Sequence, residues 1–123
     1  MSYEENQARF SLPAAADLSA KQYYAVVVDT SGNAAVAGTG DRACGILQNA
    51  PAHAGRAASI AYGGVTKAVC GGAITIGDPV AVDSTGKIVA ETTGDAWTVG
   101  IALETGASGT IISMLLQPSG LMV

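Results

Sequence analysis

Asp29-Thr30-Ser31-Gly32 and Asp83-Ser84-Thr85-Gly86 are the residues best placed by type and spacing to do chemistry. Each copy sets one carboxylate before a short polar run, and the copies lie 54 residues apart. Two Asp residues on matching β loops can share a proton, as in aspartic proteases. Those enzymes carry Gly two residues after Asp, whereas here Gly32 and Gly86 stand three after, so the carboxylates are presented differently. A chain of 123 residues is also short for two lobes and a substrate cleft. The stretches read better as turns: Asp and Ser bond the local backbone, and Gly accepts a positive φ.

The remaining reactive residues are scattered. His53 is the single histidine and sits in a loop, without the clustered Cys or Glu that a metal site needs. Cys44 and Cys70 have no His at a suggestive spacing and read as small buried thiols rather than a disulfide. Gly63-Gly64 and Gly71-Gly72 lack the Lys-Ser/Thr of a phosphate loop. Lys67 lies near a bend, as in lipoyl carriers, but without their flanking acidic residue and Met. The expectation is a chain with no catalytic, cofactor-binding or metal-binding residue, and therefore not an enzyme.

What must position these turns is a series of short strands. Around the second Asp turn, Val80 and Val82 share one strand face and Lys87–Ala90 returns. Ile74 and Ile76 alternate before the break at Gly77-Asp78-Pro79 and predict a further strand. The first Asp turn repeats this frame: Val26 matches Val80, Val28 matches Val82, and Thr39-Gly40-Asp41 matches Thr93-Gly94-Asp95. After a one-residue slip, Gly45-Ile46 matches Gly100-Ile101; the register then returns, with Gly55 opposite Gly109 and Ser59 opposite Ser113. This is a degenerate internal duplication, too short for a solenoid. Further strands are expected at Tyr23–Asp29, Ala34–Ala37, Arg42–Gln48 (Cys44 and Ile46 on one face), Ala57–Tyr62 and Val65–Val69, with Gly63-Gly64 as a hairpin turn. Trp97, Val99, Ile101 and Leu103 alternate with smaller residues in a half-buried strand. A last strand, Thr110–Gln117, is apolar on both faces and ends at Pro118. The predicted fold is all-β: a small Gly-rich β-barrel or sandwich.

Composition sets outer limits. One domain of this length, with 16 Gly and 13% charged residues, is neither a coiled coil nor a disordered chain. A net charge of −4 offers no basic stripe for nucleic acid. No apolar run approaches a membrane span, and the first ten residues lack a signal-peptide pattern, so the expected compartment is the cytoplasm.

Residues 1–20 read as an extended N-terminal arm attached to a domain over 21–123. The arm lacks an obvious strand pattern, so its removal is expected to leave the domain folded. Phe10, Leu12 and Leu18 give it apolar side chains with which to dock on a partner or a neighbouring subunit, since a free tail gains nothing from them. Tyr23–Asp29 and Thr110–Gln117 carry apolar side chains on both faces, which predicts a homo-oligomer.

The run Ala73-Ile74-Thr75-Ile76-Gly77-Asp78-Pro79-Val80, then Asp83…Gly86-Lys87-Ile88-Val89 and Val99-Gly100-Ile101-Ala102, resembles the head decoration, or capsid cement, proteins of tailed bacteriophages. Asp29…Gly32 and Cys44-Gly45-Ile46-Leu47 are similar to the same pattern, and the resemblance spans about residues 20–117. It implies a structural virion protein on the capsid exterior, commonly a trimer, bound to the major capsid protein and assembled in the host cytoplasm. It carries no catalytic residues. Two other readings stay open: another virion component, such as a tail or head-fibre base protein, and a cellular β-barrel module for a small ligand or sugar.

Overall fold

A computed structural model of the chain describes residues 5–92 and 97–121. Among these residues every regular element is a strand: β1 (Glu5–Pro13), β2 (Ala25–Val28), β3 (Ala34–Val36), β4 (Gly45–Leu47), β5 (Ala57–Val69), β6 (Pro79–Val82), β7 (Ile88–Ala90), β8 (Trp97–Ala102) and β9 (Ile111–Leu121). They form one curled sheet in the order β3-β2-β4-β5-β9-β8-β6-β7, with β1 also paired to β5. The all-β expectation holds.

The strand order reads the same from both ends, because the internal repeat is structural. Val26 pairs with Val36 as Val80 pairs with Ala90. Ala25 pairs with Ile46 as Pro79 pairs with Ile101, so the one-residue slip seen in the sequence is carried into the ladder. Ile46 faces Ala61 as Ile101 faces Leu115. The matched stretch Thr93-Gly94-Asp95 lies outside the described residues.

The presumed arm is a strand. β1 runs antiparallel along β5, from Glu5 opposite Val65 to Pro13 opposite Ala57. It occupies in the first half the place that the end of β5 occupies in the second. Phe10 faces Ile60 as Thr66 faces Met114, and Leu12 faces Ala58 as Ala68 faces Ile112. Each half then curls back on itself. Parallel bridges join Ala14 to Ala34 in the first half and Cys70 to Ile88 in the second. The long strand β5 belongs to both.

Five other local expectations are corrected. Gly63-Gly64 is no hairpin; β5 passes straight through it, with Gly64 alone at positive φ. Ile74–Ile76 is no strand: the Asp78 carboxylate accepts the Thr75 N–H at 2.9 Å, and the chain turns instead, leaving Ile74 one isolated bridge to Gly106. Pro118 does not end β9, which continues to pair Gly120 with Thr98 and Leu121 with Trp97. Pro118 falls between Leu116 and Gly120, where the register shifts and a missing N–H breaks no regular ladder. In β8 the same irregularity upsets the alternation, so Val99, Gly100 and Ala102 are buried while Ile101 is exposed. Cys44 and Ile46 likewise go to different cores instead of sharing a face.

The described residues form two cores. The smaller fills the first half with Leu18, Val26, Leu47 and Ile60, against which Phe10 and Leu12 pack. The larger fills the second half and reaches across to Ala25, Ile46 and Ala61 of the first. β2 therefore buries Val26 in one core and Ala25 in the other. Much of the two-faced apolar pattern that pointed to a subunit contact is satisfied within one chain.

Candidate functional site

The two Asp turns are built alike and are structural. Asp29 Oδ1 accepts the N–H groups of Ser31 and Asn33, both at 2.9 Å. Asp83 Oδ1 accepts those of Thr85 and Lys87, at 2.8 and 3.0 Å, and the Thr85 hydroxyl at 2.9 Å. Each carboxylate closes its own hairpin, and Gly32 and Gly86 supply positive φ, at 80° and 88°. Each carboxylate is thus committed to donors of its own turn, which is a structural task.

The other reactive side chains do not converge. His53 is exposed beside an open concavity of about 550 Å³ lined by Asn49, Pro51 and Arg56 among others. Among the described residues no group of three or more His, Cys, Asp or Glu could hold a metal. Cys44 and Cys70 are free and belong to different cores. Burial pushes both thiols up from their ordinary range, which keeps them protonated and unreactive near neutrality. Lys67 sits with its Nζ 5.6 Å from the Tyr23 ring centroid.

The residues singled out for partner contact are used in the chain's own fold. Leu18 is buried in the smaller core, and its N–H donates to Pro51 O at 2.8 Å. Phe10 and Leu12 are half-buried against that core; Phe10 meets Tyr62 edge-on at 5.6 Å between centroids. Among the described residues, the large apolar side chains that face outward are Val28, Tyr62, Ile76, Ile101 and Ile111. Sequence reasoning missed them as surface residues. Bulk gave no consistent signal, since Val28 and Ile101 are matched in the repeat by identical residues, Val82 and Ile46, that are buried.

The halves are joined by polar as well as apolar contacts. The Ala25 N–H donates to Gly86 O at 2.8 Å, the Gly40 N–H to Val82 O at 3.0 Å, and the Val69 N–H to Tyr23 O at 3.2 Å. Three cation–π contacts cross the same boundary: Arg42 on Trp97, Lys67 on Tyr23 and Lys87 on Tyr24. Gly86 packs so closely that a Cβ there would collide with Val36. Tyr23, the one non-glycine residue with positive φ among those described, stands where the second half has Gly77. The two halves thus share an extensive junction of apolar, hydrogen-bonding and cation–π contacts.

Comparison with known proteins agrees with this architecture. A family model described as phage cement protein matches residues 4–116. Among solved structures, the chain is similar to the head fiber gp8.5 N base of bacteriophage phi29, with a TM-score of 0.67 and 15% sequence identity over 94% of this chain and 98% of that one. No curated protein sequence matches significantly.

Proposed function

The chain belongs to the phage cement protein family, a family of structural virion proteins, and from that premise we propose that it binds the outer surface of the assembled head as a homotrimer and locks neighbouring copies of the major capsid protein together. The observation that carries this reading is the family match across residues 4–116, which spans both halves of the repeat rather than one motif. The fold shared with a phage head-fiber base supports a place on the head surface.

The mechanism requires binding energy and geometry alone. A ligand that binds only the intact shell stabilises it by RT ln(1 + [L]/Kd) per site, about 2.7 kcal/mol at a hundredfold excess over Kd. Three linked copies, each on a different capsid subunit, add avidity and a mechanical bridge. Binding favours the expanded, mature shell, whose sites have the required spacing. The test is to heat matched capsids with and without added protein and follow release of packaged DNA. Decorated particles should survive several degrees higher. Failure of the protein to sediment with mature capsids of its own phage would refute the cement reading.

A further inference from the structure

The contact between the two halves is one-directional. One surface of the first half, carrying Ala25, Ile46 and Ala61, receives a different surface of the second, carrying Val82, Leu116 and the Gly86 turn. All five of these side chains belong to the larger core and are at most 3% exposed. Because the halves are repeats, each surface exists twice. The second half has its own version of the receiving surface: Pro79, Ile101 and Leu115, in register across β6, β8 and β9. The first half has its own version of the inserting surface: Val28, Tyr62 and the Gly32 turn.

Neither of these duplicates is fully covered, although Pro79 and Leu115 are half-buried. Val28 is 51% exposed where Val82 is 2%; Tyr62 is 48% where Leu116 is 3%; Ile101 is 37% where Ile46 is 0%. A Cβ on Gly86 would collide with the opposite half, whereas one on Gly32 meets nothing within 4 Å. Three of the chain's exposed large apolar residues are thus the counterparts of buried residues at the junction between halves. Contiguous apolar surface left open in this way marks an interaction site, and the junction shows what fits it.

We propose that this chain associates head to tail with copies of itself, the Val28–Tyr62–Gly32 surface of one copy seating on the Pro79–Ile101–Leu115 surface of the next. A heterologous contact of this kind closes into a ring when the rotation between units permits. The number of copies rests on the trimer reading above, which would place six half-units around the ring. The contact between copies is looser than its internal model. Pro79 stands where Ala25 donates to the opposite turn, and Pro13 where Val69 donates to Tyr23, so two of the three backbone hydrogen bonds described at the junction have no counterpart. What remains is chiefly apolar.

The test is light scattering of the free protein across micromolar concentrations, with Tyr62→Glu and Ile101→Glu made separately. Both positions are exposed, and circular dichroism confirms that each variant is folded. Wild type should form a defined oligomer, and each variant should fall to the mass of the 12.2 kDa chain. An equimolar mixture of the two should recover a dimer, since one intact contact can form between an unaltered Ile101 surface and an unaltered Tyr62 surface. A monomeric wild type, an oligomer indifferent to both substitutions, or a mixture that stays monomeric would overturn the proposal. Sedimentation with mature capsids is scored independently, so a monomeric variant that still binds shells separates this inference from the cement reading.

Discussion

Gly45 and Gly100 show at single-residue scale what the repeat preserves. Each sits where two strands approach too closely for a side chain: a Cβ on Gly45 would collide with the Ala61 carbonyl, and one on Gly100 with that of Leu115. Both are legible in the sequence as Gly-Ile pairs after the one-residue slip, though only the structure explains the absence of a side chain. Gly100→Ala must push β8 from β9 and should cost about 1–3 kcal/mol, as overpacking does. Gly63 makes a control, since a Cβ there meets only Ala8 at 3.7 Å, an ordinary contact. Thermal melts should show Gly100→Ala well below wild type and Gly63→Ala close to it. Equal melting temperatures for the two would contradict the packing argument. Glycine is ambiguous when read from sequence alone for this reason: Gly63-Gly64, inside a strand, and Gly86, in a turn, look alike until the backbone is known.

At the scale of elements, the hairpins were readable because their turns need particular chemistry. Asp with Gly three residues later closes β2 on β3 and β6 on β7, and both hairpins lie where the Asp turns placed them. β1 was obscured because its apolar alternation, Phe10 and Leu12 flanking Ser11, is short and sits beside a polar terminus. Its equivalence to the end of β5 also follows a different spacing from that of the hairpins. Bulges are invisible for a related reason: one extra residue in β8 reverses which side faces inward, and nothing in its composition announces it. The correction to β1 changes an experiment. Removing residues 1–18 strips the whole β1–β5 ladder and takes Phe10, Leu12, Ala14 and Leu18 from the smaller core. The truncated chain should fail to show a cooperative melt, rather than fold normally and merely bind poorly. A sharp transition near the wild-type temperature would restore the view of this segment as a dispensable arm.

For the whole molecule, the question is whether two repeated halves behave as two domains or one. Each half closes its own curl and fills its own core, which favours independence. Against this, β5 is a single strand shared by both, and the larger core draws Ala25, Ile46 and Ala61 from the first half. Among the described residues, three backbone hydrogen bonds, the buried Gln48–Thr66 side-chain bond and three cation–π contacts also cross the junction. A half that unfolded alone would expose that apolar surface and release half of β5, so the coupling should win and unfolding should be all-or-none. Trp97 gives a probe in the second half, with the Arg42 guanidinium 4.7 Å from its ring centroid. Leu47 gives a perturbation in the first, buried in the smaller core. Leu47→Ala should cost about 2–5 kcal/mol, and Trp97 fluorescence should report the full loss although the cavity lies in the other half. The calorimetric and van't Hoff enthalpies should agree for both proteins. If Trp97 keeps its wild-type midpoint while circular dichroism shows an earlier phase, the halves are separate folding units, and a shared strand is too weak to make one rigid clamp of them.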